Sequence, residues 1–190
     1  MNYSNTNEKL YYDIALWEKT DGRDLFAQMP LATDVKGAPT VLDFGYGFGE
    51  NLFALSNAYP NGKIYGIDCS PVCQKEVGEK VAARGIKNIT LINKEVHNLQ
   101  DFQDNSLDLV LLYEESHRIL KRGACLSILP VHLNNWRDHQ GKKKTYTPAK
   151  IKAELTEYGF EYAGTCSQKG IHWEKCHTPY YIKKGIITLD

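Results

Sequence analysis

Apolar residues fall along this chain in two rhythms. Short apolar runs, bounded by Gly, Pro, Asn or Asp, alternate with longer segments in which apolar positions recur every three or four residues. The first kind reads as buried strand and the second as amphipathic helix. Strands are predicted at Thr40–Phe44, Lys63–Asp68, Ile89–Asn93, Leu107–Tyr113, Ala124–Pro130, Phe160–Ser167 and Ile171–Lys183. Helices are predicted at Asn7–Thr20, where Leu10, Ile14 and Trp17 share a face, and at Arg23–Met29, Glu50–Ala58 and Glu114–Leu120. Ser70-Pro71 and Thr147-Pro148 are cap and first-turn pairs that open two more helices, and Gly159 is placed to end the second of these. Because the first five strands alternate with helices, they should form a parallel, doubly wound α/β sheet, with strands six and seven added as an antiparallel hairpin.

One boundary in that pattern carries chemistry. The run Val41-Leu-Asp-Phe-Gly-Tyr-Gly-Phe-Gly-Glu50 is a buried strand that ends in an acid and three alternate glycines. Gly45, Gly47 and Gly49 let the backbone take positive φ and approach a small molecule closely. The helix that follows would turn its N-terminal N–H groups toward a carboxylate or phosphate. The next strand, Ile64-Tyr-Gly-Ile-Asp68, delivers an acid suited to ribose hydroxyls. A dinucleotide fingerprint spaces its glycines as G-x-G-x-x-G, and counted from Gly45 its last position is Glu50. A carboxylate at that point repels a pyrophosphate, so NAD is the disfavoured ligand.

Asp43-x-Gly45-x-Gly47-x-Gly49 resembles motif I of the class I S-adenosylmethionine-dependent methyltransferases, and Asp68 matches that family's acid at the end of strand two. The likeness continues in order through Lys94-Glu95-Val96, Asp104-Asn-Ser-Leu-Asp-Leu-Val-Leu-Leu112, Ser116-His-Arg-Ile-Leu-Lys-Arg-Gly123 and the segment from Thr147 to Phe160. It implies a Rossmann-like sheet of seven strands, S-adenosylmethionine as cofactor and S-adenosylhomocysteine as product. It also implies cofactor contacts from Asp43, Phe44, Gly45, Tyr46, Gly47, Gly49, Asp68 and Cys69, with Glu95 and Val96 at the adenine and Tyr12 over the methionine end. The chain departs from the family between strands four and five. Only residues 114–123 remain there, and the extra element that often carries acceptor-binding groups is missing.

Composition narrows the class without naming an acceptor. At 190 residues the chain is read as one domain, with residues 1–30 a helical lid and 40–190 the core. Lys+Arg and Asp+Glu both number 23, so no general basic surface favours nucleic acid, and Gly141-Lys-Lys-Lys144 reads as a solvated loop. The start of the chain has no apolar leader segment and no 18-residue apolar stretch occurs, so a cytoplasmic protein without membrane contact is expected.

Five cysteines without a secretion signal argue against a disulfide framework. Cys166, His172, Cys176 and His177 have metal-ligand chemistry, but neighbours on a strand point to opposite faces, so ordinary core packing is the better reading and no metal is expected.

If the chain is an enzyme, the reaction is in-line displacement at a sulfonium methyl group, which depends mainly on positioning the acceptor. A protonated acceptor needs a base. His132, at the carboxyl end of strand five, and Tyr113, at the end of strand four, are the candidates, while His117 reads as a surface or packing residue. The acceptor is expected to be a small molecule. Two other classes remain open: a catalytically silent cofactor-binding or partner protein, and a nicotinamide-dependent oxidoreductase, against which Glu50 argues.

Overall fold

A computed structural model describes residues 18–19, 22–94, 99–111, 119–128, 148–168 and 176–184. In chain order its elements are α1 (Gly22–Ala27), β1 (Thr40–Phe44), α2 (Glu50–Ala58), β2 (Lys63–Asp68), α3 (Pro71–Ala83), β3 (Ile89–Asn93), β4 (Leu107–Leu111), β5 (Leu120–Ser127), α4 (Pro148–Glu157), β6 (Phe160–Gln168) and β7 (Cys176–Lys183). The seven strands form one sheet in the order β3-β2-β1-β4-β5-β7-β6. Every pair from β3 to β5 is parallel, and β7 runs antiparallel to both β5 and β6. The order reverses on either side of β1, the point at which open α/β sheets bind ligands beyond their carboxyl ends.

Alternation along the central strands divides the core into two layers. Val41, Leu109, Leu111 and Cys125 meet Leu25, Phe26, Leu52 and Phe53 on one face. Leu42, Val110 and Leu126 meet Leu99, Phe102, Ile151 and Phe160 on the other. All five residues of β4 are buried, as a strand covered on both faces requires. That strand also carries the buried Asp108, whose Oδ2 accepts the Thr40 N–H at 2.9 Å and whose Oδ1 meets Lys121 Nζ at 2.5 Å. The carboxylate thus ties the amino ends of β1, β4 and β5 together. Lys183 closes the same end from β7: its buried Nζ donates to the Leu120 carbonyl at 2.6 Å and to Asn105 Oδ1 at 3.1 Å.

Two of the cap signals held, and Thr147 lies outside the described residues. Ser70 Oγ accepts the Cys73 N–H at 3.3 Å with Pro71 in the first turn of α3, and Gly159 follows α4 at φ 77°. Several boundaries moved. The first described helix is Gly22–Ala27 instead of Arg23–Met29; β7 is described over Cys176–Lys183, and the predicted strand residues 171–175 lie outside the described residues. The larger change is at β5, which begins at Leu120, a residue predicted to end a helix. Leu107 pairs with Leu120 but Leu109 pairs with Cys125, so the intervening residues bulge out of the ladder, with Gly123 at φ 80°. Lys121-Arg122-Gly123 has the composition of a turn; the bulge absorbs it while the buried Leu120 keeps its place in the sheet. The strand therefore takes up residues 120–123, the last four of the connection predicted over residues 114–123. Of the predicted helix Asn7–Thr20, only Glu18 and Lys19 are among the described residues, and Glu114–Arg118 lies outside them.

Candidate functional site

The carboxyl ends of β1 and β2 build the site. After Phe44 the chain turns through Gly45 at φ 70°, Gly47 at φ 53° and Gly49 at φ 89° before α2 begins. Each glycine N–H has a partner inside the protein. Gly45 donates to the Ile67 carbonyl at 2.8 Å, Gly47 to Asp68 Oδ2 at 2.9 Å and Gly49 to the Tyr46 carbonyl at 2.9 Å. The loop is therefore folded back onto the end of β2.

Its outer side is free of the described residues. Among them, a Cβ placed on Gly45 or Gly47 would meet nothing within 4 Å, whereas one on Gly49 would press Phe53 at 3.0 Å and Val77 at 3.2 Å. The third glycine is therefore needed for packing and the first two are not. Tyr46 points inward. A Cβ on Gly66 would strike its ring at 2.8 Å, so that glycine makes room for the tyrosine beneath the loop. The Tyr46 hydroxyl is buried without a hydrogen-bond partner, and burial, followed by the charge of Asp68, pushes it up to about 12.

Three acids converge here. Asp68 is buried and already accepts two backbone N–H groups, Gly47 on Oδ2 and Ser70 on Oδ1 at 2.8 Å. A carboxylate has about four acceptor positions, so two remain for a vicinal diol. Asp43 is only 3% exposed and its Oδ2 has no hydrogen-bond partner. Burial, then the negative charges of Glu50 and Asp68, raise its carboxyl to about 7. Glu50 is the first-turn acid of α2, whose N-cap Gly49 offers no side-chain cap.

A clasp that the sequence did not suggest joins the carboxyl ends of α2 and α3. Glu18 is 4% exposed and its Oε2 accepts from Arg84 Nη1 at 2.6 Å, while its carbonyl accepts from Asn57 Nδ2 at 2.7 Å. The Arg84 guanidinium lies 4.3 Å from the centre of the Phe53 ring. Lys80, on the same helix, donates to the Phe48 carbonyl of the loop at 3.4 Å. No pattern marked Glu18, because a single acid in a helical stretch reads as surface. For Tyr46 a signal existed in the glycine of Tyr65-Gly66-Ile67, where a strand gives up a side chain to something else.

The structure thus brings Asp43, Gly45, Tyr46, Gly47, Gly49 and Asp68 together, with Phe44 at the end of β1 and the exposed Cys69 next to Asp68. Tyr12, Glu95, Val96, Tyr113, His117, His132 and His172 lie outside the described residues. Cys166 is buried and its thiol donates to the Gln28 carbonyl at 3.6 Å, which is core packing. Among the described residues no cluster of metal-ligating side chains occurs, and no helix is long and apolar enough to cross a membrane.

Comparison with known proteins places the whole. Residues 41–129 match the model of a methyltransferase domain. The chain is 34% identical over 105 residues to demethylmenaquinone methyltransferase of Geobacillus stearothermophilus, covering 48% of this chain and 44% of that protein. It is 30% identical over 78 residues to a tRNA (guanine-N(7)-)-methyltransferase of Hydrogenovibrio crunogenus, covering 40% of this chain and 32% of that one. It thus spans under half the length of either curated relative. The fold is similar to that of an S-adenosylmethionine-dependent methyltransferase from Aquifex aeolicus, with a TM-score of 0.64 at 22% identity, covering 92% of this chain and 96% of that one. Residues 41–129 thus match a methyltransferase domain, and the chain resembles the class I S-adenosylmethionine-dependent methyltransferases in motif and fold.

The site suits that family's cofactor. A diol matches the free positions on Asp68, and the open side of the glycine loop leaves room for it. A cationic ligand matches the unpartnered carboxyl oxygen of Asp43.

Proposed function

We propose that this protein binds S-adenosylmethionine on the Gly45–Gly49 loop and transfers its methyl group to a small-molecule acceptor. The observation that carries the reading is Asp68: it holds the Gly47 N–H, keeps two acceptor positions free of the described residues, and stands beside a loop whose outer side none of them fills. When bound, S-adenosylmethionine supplies an electrophilic methyl group on a sulfonium.

The protein's task is then to bind, orient and exclude water. Asp68 accepts from the ribose hydroxyls, and Gly45 and Gly47 admit the cofactor to the loop. Phe44, Tyr46 and Gly49 shape that loop from within. Cys69, Glu95 and Val96 border the adenine, and Tyr12 covers the methionine end. Tyr113 and His132 are the groups to take a proton from an acceptor that carries one. Residues 1–30 act as the lid. Glu18, gripped by Arg84 and Asn57, anchors that segment to the carboxyl ends of α2 and α3.

The short connection 112–119 favours a second reading, in which the domain binds cofactor without turning it over. It leaves little chain to roof the acceptor.

Calorimetric titration with S-adenosylmethionine, S-adenosylhomocysteine and NAD tests the first step. Binding of the first two and not the third is expected, and binding of NAD alone would overturn the reading. Methyl transfer is then assayed with tritiated donor against small-molecule extracts, quinones and tRNA. Label entering only tRNA would replace the small-molecule acceptor with a nucleic acid, and label entering no pool would favour the silent reading.

A further inference from the structure

We propose that Asp43, with Glu50 and Asp68 around it, sorts what enters this site by charge, so that the site holds the methyl donor more tightly than its demethylated product. The inference rests on the cofactor reading above and goes beyond it to specificity.

Asp43 lies beneath the glycine loop with a buried, unpartnered carboxyl oxygen, an arrangement that is unfavourable for an ion unless a counter-charge arrives. The charged groups of the surrounding elements do not supply one. Glu50 on α2 and Asp68 at the end of β2 both repel a negative charge on Asp43. Tyr46, inside the loop, is held in its neutral form. Lys80 on α3 is engaged by the Phe48 carbonyl and Arg84 by the Glu18 carboxylate. Cys73 on α3 adds a thiol and no cation. Among the described residues the loop is therefore an acidic recess awaiting positive charge.

The two forms of the cofactor differ by one such charge. S-adenosylmethionine carries a sulfonium and an ammonium against one carboxylate, giving a net positive ion. When the methyl group leaves, the carbon–sulfur bond breaks, its electron pair stays on sulfur, and the product is a neutral thioether with no net charge. A recess of three acids in a partly desolvated site attracts the first and gains less from the second. The same field helps product release, because the attraction falls when the charge departs with the methyl group. As the Asp43 carboxyl titrates near neutral pH, its contribution should be present in alkaline solution and fade in acid.

The test is calorimetric titration of the full chain with S-adenosylmethionine and S-adenosylhomocysteine, at pH 8 and at pH 5.5, for the wild type, Asp43→Asn and Glu50→Gln. The expected result for the wild type at pH 8 is a Kd for the donor lower by about tenfold or more than that for the product. The ratio should shrink to about threefold or less at pH 5.5 and in Asp43→Asn, and fall partway in Glu50→Gln. Donor binding near pH 7 should also release a proton, seen as an enthalpy that varies with buffer, and product binding should release less. Equal affinities, tighter product binding at pH 8, or a ratio that does not change with pH would overturn charge sorting while leaving the cofactor reading in place. Failure of both compounds to bind the wild type would overturn the two together. Because the pH arm uses the wild type, a misfolded Asp43→Asn would not rescue the proposal.

Discussion

The Gly47 N–H points at Asp68 Oδ2, 2.9 Å away, so the loop after β1 hangs from the acid that ends β2. The residue best placed to hold a ribose also holds the shape of the loop that would cradle it. Asp68→Ala should therefore act twice. Cofactor affinity should fall by about 2 kcal/mol, and stability by about 1 kcal/mol or more because two backbone N–H groups lose their acceptor. Calorimetry and urea unfolding read the two effects separately; unchanged values in both would place the ligand elsewhere.

The glycines of the loop should separate by kind. Gly49→Ala forces a Cβ against Phe53 and Val77 at a positive φ and should cost roughly 2–3 kcal/mol of stability. Gly47→Ala meets none of the described residues and should cost only the strain of its backbone, about 1 kcal/mol. Gly47→Val fills that space and should abolish cofactor binding with the fold retained. Urea midpoints that rank Gly47→Ala below Gly49→Ala would contradict this order.

Asp43 predicts a pH dependence with a definite sign. Its carboxyl goes from an ordinary 3.8 to about 7 in the folded protein, so between those values the native chain binds a proton that the unfolded chain has lost. Stability drawn from that proton is complete below about pH 4 and drains away as pH rises to about 7. Asp43→Asn cannot ionise. The urea stability of the variant relative to wild type should improve by a few kcal/mol from pH 4 to pH 8, at about 1.4 kcal/mol for each tenfold change in proton affinity. A difference that stays flat with pH would reject the displaced carboxyl.

The amino end of the sheet serves as the control. Asp108→Ala strips the Thr40 N–H and Lys121 of their shared acceptor and should cost about 2–3 kcal/mol. Cofactor affinity at the opposite end of the strands should not change. A large loss of affinity in a variant that remains folded would mean that the two ends of the sheet are coupled.

How much of this was legible depended on whether a feature is local. The glycine loop, the ends of β1 and β2, and the helix α2 came from the sequence to the residue, because turn chemistry and alternation act over a few neighbours. β5 did not, since Lys121-Arg122-Gly123 looks like a turn until the buried Leu120 and Cys125 are seen to pair with β4 on either side of it. The inward turn of Tyr46, the isolation of Asp43 and the grip of Arg84 on Glu18 depend on residues far apart in the chain. Tertiary packing decides those, and a periodicity carries no trace of it. The resemblance to class I methyltransferases was readable at the motif; the acceptor was not, because the glycine motif carries no residue that specifies it.

The strand order also sets a sequence of events as the chain is made. Among the described residues β6 pairs only with β7, and β7 fills the gap between β5 and β6. While β6 leaves the ribosome it has no edge to join, and the sheet ends at β5 with its backbone groups uncovered. Of these two strands, the later one recruits its predecessor. A chain stopped before Cys176 would therefore lose two strands instead of one, together with Lys183 and its hold on the Leu120 carbonyl. Such a fragment would expose the β5 edge as a template for other chains, so late truncation should produce aggregates rather than a slightly shortened enzyme.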